Sequence, residues 1–165
     1  IAAQGSYYLE GFKKKMNSSS MYGRVELVNL NSTLAEPNSV DVIVTFRNLH
    51  NWLGADMDSI FKNSFKALKP GGSFGVVEHR ARPGTDFETM KSSGYVTEEH
   101  AIEVALKQGF ELVAKSEINA NPKDTKDHPK GVWTLPPRLR LDDVDRVKYE
   151  AIGESDRMTL LFRKP

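Results

Sequence analysis

Polar and aromatic residues follow directly on an apolar run at residues 46–52, whose sequence is FRNLHNW. Among them, His50 has the chemistry of a general base, since a neutral imidazole can accept a proton near pH 7. Arg47 can pair with a carboxylate. A second histidine, His79, follows Glu78 at the end of another apolar run and is the second candidate base. The alternatives are packing under the following helix for His50, and an ion pair or a loop cap for His79.

These residues need two neighbouring strands to bring them together. Residues 40–45 are apolar and β-branched apart from Asp41, which predicts a parallel strand covered on both faces. A mostly apolar helical stripe follows, and LKPGG at residues 68–72 predicts the turn back to a second parallel strand at residues 73–78. The stripe consists of Met57, Ile60, Phe61, Ser64, Phe65 and Leu68.

A second helix and strand come next along the chain. Thr97 is a predicted N-cap, and Gly109 suits the left-handed position after a helix. Strands predicted at residues 110–118 and 157–163 are separated by a proline-rich, charged excursion at residues 119–153, which would cover a substrate mouth or form a dimer contact. We therefore predict one α/β domain over residues 1–165, with an open, mostly parallel sheet and helices on both faces. Ligands bind such sheets at the carboxyl ends of the strands, where residues 46–52 and 78–79 lie.

Composition and charge exclude several classes of protein. The 165 residues carry 23 basic and 22 acidic side chains, so no basic field indicates nucleic acid or an anionic membrane as a partner. No apolar stretch approaches the roughly 20 residues of a membrane-spanning helix. Cysteine is absent, Asp56 and Asp58 lie at a helix start, and His128 has no partner at ligand spacing, so no metal site is predicted. The chain begins at Ile1 and soon enters a predicted helix, which predicts a chain entered midway.

Four motifs occur in the order NSVDVIVTFRNLHNW, LKPGG, GVVEHRARPGT and YVTEEHAIEVALKQGFELV. They resemble the second half of a class I S-adenosylmethionine-dependent methyltransferase, and more narrowly a group of bacterial predicted methyltransferases with an NP.DT.D segment and a terminal FRKP strand. The resemblance implies a Rossmann-like sheet with the strand order 3-2-1-4-5-7-6 and an antiparallel last strand. Its third to seventh strands would be residues 24–30, 40–45, 73–78, 110–118 and 157–163.

The first two strands of that sheet and the glycine-rich loop after strand one have no counterpart in this sequence. A fragment or a natural truncation of a methyltransferase-like domain is therefore expected. Without those strands, residues 1–35 are predicted to be weakly anchored or to swap onto another chain.

The resemblance also implies S-adenosylmethionine as cofactor and a set of residues around it. Asn31 or Ser32 would contact the adenine amino group, with a simple turn asparagine as the alternative for Asn31. The backbone of Phe46 and the side chains of Arg47 and Asn48 would border the methionine part. A salt bridge between Arg47 and a nearby acid is an equal alternative.

The implied reaction is methyl transfer to a small-molecule acceptor. His50 and His79 would be the catalytic bases, and Trp52 and Glu78 would bind substrate, with a core position as the alternative for Trp52. The motif of methylases that act on the amino groups of nucleic-acid bases is absent after the predicted fourth strand. Two alternatives are a non-catalytic α/β module that has lost the cofactor-binding half, and, less well supported, a fragment of a nucleotide-binding dehydrogenase. A cytoplasmic location and a homodimer are further expectations.

Overall fold

A computed structural model describes residues 2–3 and 7–165, with the side chains of residues 10–165. The strands are Ala2–Ala3 (β1), Val28–Asn29 (β2), Val40–Phe46 (β3), Leu68–His79 (β4), Glu111–Ser116 (β5) and Arg157–Arg163 (β6). The α-helices are Tyr7–Met16 (α1), Leu49–Trp52 (α2), Ala55–Ala67 (α3), Phe87–Ser93 (α4), Glu98–Lys107 (α5) and Arg146–Ile152 (α6). Short 3-10 helices occupy Ser20–Tyr22 and Gly131–Thr134. Within the described ranges, every helix is too short or too polar to cross a membrane.

The main sheet has four strands in the order β3-β4-β6-β5. β3 and β4 run parallel, whereas β6 is antiparallel to both of its neighbours, β4 and β5. The predicted α/β class and the antiparallel last strand are confirmed, and so are the strands expected near residues 40–45, 73–78, 110–118 and 157–163. The strand order agrees only in part with a Rossmann arrangement, because β2 lies outside this sheet.

The strand predicted at residues 24–30 is much shorter in the structure. Only Val28 and Asn29 are extended, and they pair in parallel with Ala2 and Ala3 in a separate two-stranded sheet. The chain turns immediately afterwards, since the Ser32 hydroxyl donates a hydrogen bond to the Asn29 carbonyl at 2.8 Å. The weak anchoring expected for residues 1–35 stays a prediction, and residues 1 and 4–6 lie outside the described residues.

The segment LKPGG ends helix α3 and leads the chain back into the sheet, as the sequence predicted, through an irregular start of β4 where the register with β3 shifts. Helix α3 ends at Ala67, and β4 begins at the next residue, Leu68, which is fully buried. Gly71 adopts a left-handed conformation with a φ of 78°. Its N–H donates to the Lys164 carbonyl at 2.8 Å, and the Lys164 N–H donates to the Gly72 carbonyl at 2.9 Å. Pairing with the end of the chain thus keeps the glycine segment in the sheet.

Helices cover one face of the main sheet. The core contains buried residues of α3 and α5 packed against Phe74 and Val76 of β4 and Leu160 of β6. The opposite face carries exposed apolar residues of β3, which are Val42, Val44 and Phe46, with exposed fractions of 58%, 56% and 58%. The prediction that β3 is covered on both faces is therefore wrong. The sequence pattern misled because an apolar run is equally compatible with a strand that has one bare face.

The second helix of the predicted pattern forms as expected. Thr97 caps α5, and its hydroxyl accepts a hydrogen bond from the His100 N–H at 3.2 Å. Gly109 follows the helix with a φ of 97°, a conformation in which a side chain would be strained. α5 is tied to α3 by an ion pair of 3.1 Å between Lys107 and Asp58.

The excursion between β5 and β6 is anchored by a buried carboxylate, that of Asp124. It accepts hydrogen bonds from the Tyr95 hydroxyl at 3.0 and 3.1 Å and from the Asp156 N–H at 2.7 Å. Nε2 of His128 lies 2.8 Å from the same carboxylate. Burial and then Asp124 raise the pKa of Tyr95 above its ordinary value, so the tyrosine stays a donor. This anchor fixes the direction in which the excursion leaves and rejoins the sheet, while its expected role as a cap or a dimer contact stays a prediction.

Candidate functional site

The carboxyl ends of β3 and β4 lie side by side, as the sequence predicted. Phe46 is in register with Val77, and the Arg47 N–H donates to the Val77 carbonyl at 2.7 Å. Arg47 has a φ of 56°, an uncommon conformation for a residue other than glycine. The Asn48 amide donates to the Phe46 carbonyl at 3.2 Å, and α2 begins at the following residue. The chain therefore turns sharply at the strand end and presents residues 46–52 above the sheet.

Glu78 holds the residues at this strand end through hydrogen bonds. Its side chain is fully buried, and it accepts hydrogen bonds from the N–H groups of Leu49 at 2.5 Å, His50 at 3.3 Å and His79 at 2.7 Å. A buried carboxylate needs such donors to offset its desolvation. Glu78 consequently holds the start of α2 and the end of β4 in one arrangement.

His50 is oriented by the same carboxylate. Its Nδ1 lies 3.0 Å from Oε1 of Glu78, and its side chain is only 8% exposed. A neutral imidazole in this position donates its Nδ1–H to the carboxylate, which leaves Nε2 as a proton acceptor. Nε2 has no partner among residues 10–165. This geometry is that of a general base held by a carboxylate.

His79 differs from His50 in its electrostatics. Burial lowers the pKa of His79 to about 4, an effect that Glu78 opposes and that His50, Arg47 and Arg157 reinforce. Its Nδ1 lies 2.5 Å from the Ser155 hydroxyl. His79 is therefore neutral at physiological pH and takes part in a hydrogen bond to the start of the last strand.

The two histidines border a cavity of about 1000 Å³ at the strand ends. Its walls come from residues 46–52, from residues 132–140 of the excursion and from the start of β6. The structure brings to it most of the residues that the sequence singled out, namely Phe46, Arg47, Asn48, His50, Trp52 and His79. Trp52 is 7% exposed and packs in the main core, as its alternative predicted, while its role in binding substrate stays a prediction.

Three predicted site residues, Glu78, Asn31 and Ser32, do not line this cavity. The carboxylate of Glu78 is occupied by backbone donors and by His50, so it orients the His50 ring. Asn31 and Ser32 lie in the turn after β2, where the Asn31 N–H donates to the Asn29 side chain at 2.9 Å. Because β2 is so short and turns at once, only its neighbour Leu30 reaches the cavity.

Several cavity residues were missed by sequence reasoning, and most belong to the excursion. Trp133 makes an edge-to-face contact with His50 at a centroid distance of 6.0 Å, and the Arg140 guanidinium lies 4.7 Å from the centre of the Trp133 ring. Arg138 and Arg157 also line the cavity. The available signal was the segment WTLPPRLR, in which two arginines and a tryptophan occur in a stretch too rich in proline for a regular element.

A close approach of the backbone positions Trp133. Gly131 has a φ of 55°, and a Cβ atom there would lie 2.1 Å from the Ser93 carbonyl oxygen. Only glycine therefore lets the 3-10 helix at Gly131–Thr134 pack against the end of α4. This packing places Trp133 at the cavity wall.

The sequence predicted no metal site, yet one cluster has suitable ligand types. The ligand atoms of His50, Glu78 and His79 lie within 4.8 Å of one another. Glu78, however, already accepts hydrogen bonds on both of its oxygens, and Nδ1 of His79 contacts Ser155. These contacts account for the cluster as a hydrogen-bonded unit.

Comparisons with known proteins identify the fold. No protein-family model and no curated protein sequence matches the chain. Many solved structures of S-adenosylmethionine-dependent methyltransferases are similar to it over its full length, which shows that the chain has the class I methyltransferase fold.

Three of these structures illustrate the similarity. The cyclase SpnF is 16% identical, with a TM-score of 0.67 over 99% of this chain and 64% of its own. A methyltransferase from Methanosarcina mazei is 14% identical, with a TM-score of 0.63 over 99% of this chain and 80% of its own. Geranyl diphosphate methyltransferase, solved in complex with S-adenosylmethionine, is 10% identical, with a TM-score of 0.65 over 99% of this chain and 67% of its own. The chain thus spans about two thirds of the length of two of these proteins, and the presence of a cyclase among them shows that this fold supports more than one reaction.

Proposed function

We propose that the protein transfers a methyl group from S-adenosylmethionine to a hydroxyl group of a small molecule, with His50 as the general base. The observation that carries the proposal is the contact of 3.0 Å between Nδ1 of His50 and the buried carboxylate of Glu78, at the wall of the cavity. A histidine held in this way presents Nε2 to the cavity as a proton acceptor. The fold similarity supports methyl transfer as the class of reaction.

The residues at the end of β3 fit the methionine part of the cofactor. Arg47 is an exposed cation at the cavity and has no ion pair or side-chain hydrogen bond within residues 10–165, so its guanidinium is available for a carboxylate. Asn48 lies beside it. At the other end, Leu30 and Trp52 give the cavity apolar walls against which a planar ring can pack.

The residues of this chain act through position and proton transfer. When bound, S-adenosylmethionine supplies the methyl carbon, whose bond to sulfur breaks as the acceptor oxygen bonds to it, with the electron pair remaining on sulfur. His50 accepts the hydroxyl proton at Nε2, and Glu78 stabilises the imidazolium that results. Alignment of the two reactants supplies most of the rate enhancement in such a displacement, and a general base contributes about 10²–10⁴-fold.

A second candidate function is that of a non-catalytic binding or assembly module. The exposed apolar residues Val42 and Val44 on one face of the sheet favour it, since a bare apolar face is typical of a surface that another segment covers. Cofactor binding separates the two candidates.

The test is a calorimetric titration with S-adenosylhomocysteine, which measures cofactor binding without an acceptor. The proposal expects saturable binding that Arg47→Gln weakens by roughly tenfold, because a charged hydrogen bond to the carboxylate is lost. Arg163→Gln is the matched control, since Arg163 pairs with Glu111 on the surface at 2.9 Å. Absence of binding by a folded chain would favour the assembly module instead.

A further inference from the structure

The cavity is lined by more positive than negative side chains. Its arginines are Arg47, Arg138, Arg140 and Arg157, and its single carboxylate is that of Glu154. Glu154 is paired with Arg157. In the part of the chain whose side chains are described, no carboxylate lies within ion-pair distance of Arg47, Arg138 or Arg140. Three cations therefore line one cavity without a carboxylate at ion-pair distance, although the pKa of Glu154 is lowered by its hydrogen bond from Arg157 and also by the charge of Arg47. This arrangement favours an anionic ligand.

One of these arginines shares an aromatic neighbour with the candidate base. Arg138 and Arg140 belong to the excursion, and Arg140 is held over Trp133 by a cation–π contact of 4.7 Å. Trp133 in turn meets the His50 ring edge to face at 6.0 Å. The candidate base and Arg140 thus contact the same aromatic side chain, and Arg138 lines the same cavity.

The fourth arginine of the cavity, Arg157, already has an ion-pair partner. Arg157 donates to Glu154, and its Nε is buried without a hydrogen-bond partner among the described residues. Burial is the main cause of the lowered pKa of His79, and Arg47 and Arg157 also contribute to it. Positive charge is thus felt at the strand ends, beside the excursion arginines that line the same cavity.

We propose that Arg138 and Arg140 bind the anionic group of the methyl acceptor, and that the acceptor is a small planar hydroxy acid whose ring packs against Trp133. The proposal rests on the proposed function for the role of its hydroxyl, which reaches Nε2 of His50. A guanidinium pair recognises a carboxylate or a phosphate through directed hydrogen bonds. Because Trp133 contacts both His50 and Arg140, an acceptor ring beside it would join the hydroxyl to the anionic group. Arg47, at the strand end, is left for the cofactor.

The test measures equilibrium binding without cofactor, by titration calorimetry and by quenching of tryptophan fluorescence. The probes are 4-hydroxybenzoate, its neutral analogue 4-hydroxybenzamide, and phenyl phosphate, which distinguishes phosphate from carboxylate recognition. We expect 4-hydroxybenzoate or phenyl phosphate to bind at least about tenfold more tightly than the benzamide. The double substitution Arg138→Gln with Arg140→Gln should remove that preference.

The control is Arg146→Gln with Arg163→Gln, which removes the same charge from surface arginines paired with Glu150 and Glu111. Circular dichroism and thermal melting verify the fold of both double variants. Equal affinity for the benzoate and benzamide, equal effects of the two double substitutions, or no saturable anion binding at millimolar concentration would each overturn the inference.

Failure of this inference and failure of the proposed function give different results. Anion binding that depends on Arg138 and Arg140, without binding of S-adenosylhomocysteine, keeps the anion site and removes the methyl donor. If the double substitution instead weakens S-adenosylhomocysteine and leaves the benzoate unaffected, the two arginines serve the cofactor and the inference is wrong.

Discussion

The protein contains two buried histidine–carboxylate pairs of nearly the same geometry. His50 lies 3.0 Å from Glu78 at the strand ends, and His128 lies 2.8 Å from Asp124 in the excursion. All four side chains are at most 8% exposed. Distance and burial alone therefore do not distinguish a candidate catalytic pair from a structural one.

The two pairs differ in the surroundings of the imidazole. His50 borders the cavity, and the nitrogen away from Glu78 has no partner in the described part of the chain. His128 lies outside the cavity lining, packs edge to face against Tyr149 at 5.9 Å, and shares Asp124 with the Tyr95 hydroxyl. The comparison teaches that a histidine–carboxylate pair can act as a general base only if the imidazole nitrogen away from the carboxylate is free and faces a cavity.

Substitution of the two histidines should affect the rate very differently. We expect His50→Gln to lower the rate of methyl transfer by about 10²–10⁴-fold, because the general base is lost. It should lower the free energy of unfolding about as much as His128→Gln does, because each buried carboxylate loses one partner. His128→Gln should change the rate by no more than about twofold and lower the free energy of unfolding by about 1–2 kcal/mol, because the Asp124 network loses a partner. The measurements are transfer of labelled methyl to the best acceptor among phenolic acids, and urea unfolding. A similar loss of rate in both variants would invalidate the distinction.

Substitution of the two carboxylates, Glu78 and Asp124, should also distinguish the two pairs, with smaller effects on the rate. Glu78→Gln should lower kcat by roughly 10–100-fold at unchanged KM, as expected for a residue that positions another. The affinity for S-adenosylhomocysteine should stay within about twofold, because Glu78 does not line the cavity. Asp124→Asn is the counterpart and should leave kcat nearly unchanged. A rise in KM without a change in kcat for Glu78→Gln would instead indicate direct contact with the acceptor.

The first pair also has a pH-sensitive neighbour. The His50 and His79 rings lie 5.4 Å apart, and burial lowers the pKa of His79 from its ordinary value of 6.5 to about 4. Between about pH 6.5 and about pH 4, His79 is therefore protonated in the unfolded chain but neutral in the folded chain. The free energy of unfolding consequently decreases as the pH falls through this range. We expect a decrease on the order of 1–3 kcal/mol in the free energy of unfolding.

Urea unfolding at several pH values measures this decrease, and His79→Asn is the control variant because it has no titrating group at that position. A wild-type profile that matches that of His79→Asn over this range would show that His79 is protonated in the folded protein.

The smallest expected difference is in the tautomers of the two histidines. The contacts predict a proton on Nδ1 of His50 and on Nε2 of His128, because those nitrogens face the carboxylates. Long-range ¹H–¹⁵N correlation spectra at neutral pH report which nitrogen is protonated, and the His50→Gln and His128→Gln spectra assign the signals. A proton on Nε2 of neutral His50 would remove it as the general base.

The sequence was sufficient for features that depend on local patterns. It predicted β3, α3, β4, α5 and β6, and it placed residues 46–52 and His79 at neighbouring strand ends, because apolar runs and Gly109 mark those elements. It could not predict that the excursion contributes Trp133 and Arg140 to the cavity. That arrangement depends on the distant contacts of Asp124 with Tyr95 and the Asp156 backbone, which leave no periodic signal.

The strand predicted at residues 24–30 was read from a local alternation of apolar and polar residues, which does not fix where a strand ends. The turn predicted at LKPGG forms, but its pairing with the end of the chain could not be read from the motif. Lys164 keeps Gly71 and Gly72 in the sheet through backbone hydrogen bonds. The turn at Asn29 confines β2 to two residues and keeps Asn31 away from the cavity.

The bare face of β3 also affects the solubility of the protein. Among the described residues, β3 is the outermost strand of its sheet, and Val42 and Val44 are exposed on its bare face. An exposed apolar edge strand invites strand addition by another molecule, and a single lysine on it opposes such addition. Val44 does not line the cavity, so Val44→Lys should raise the concentration at which the protein precipitates without altering ligand binding. Solubility and chemistry can thus be changed independently on the same strand.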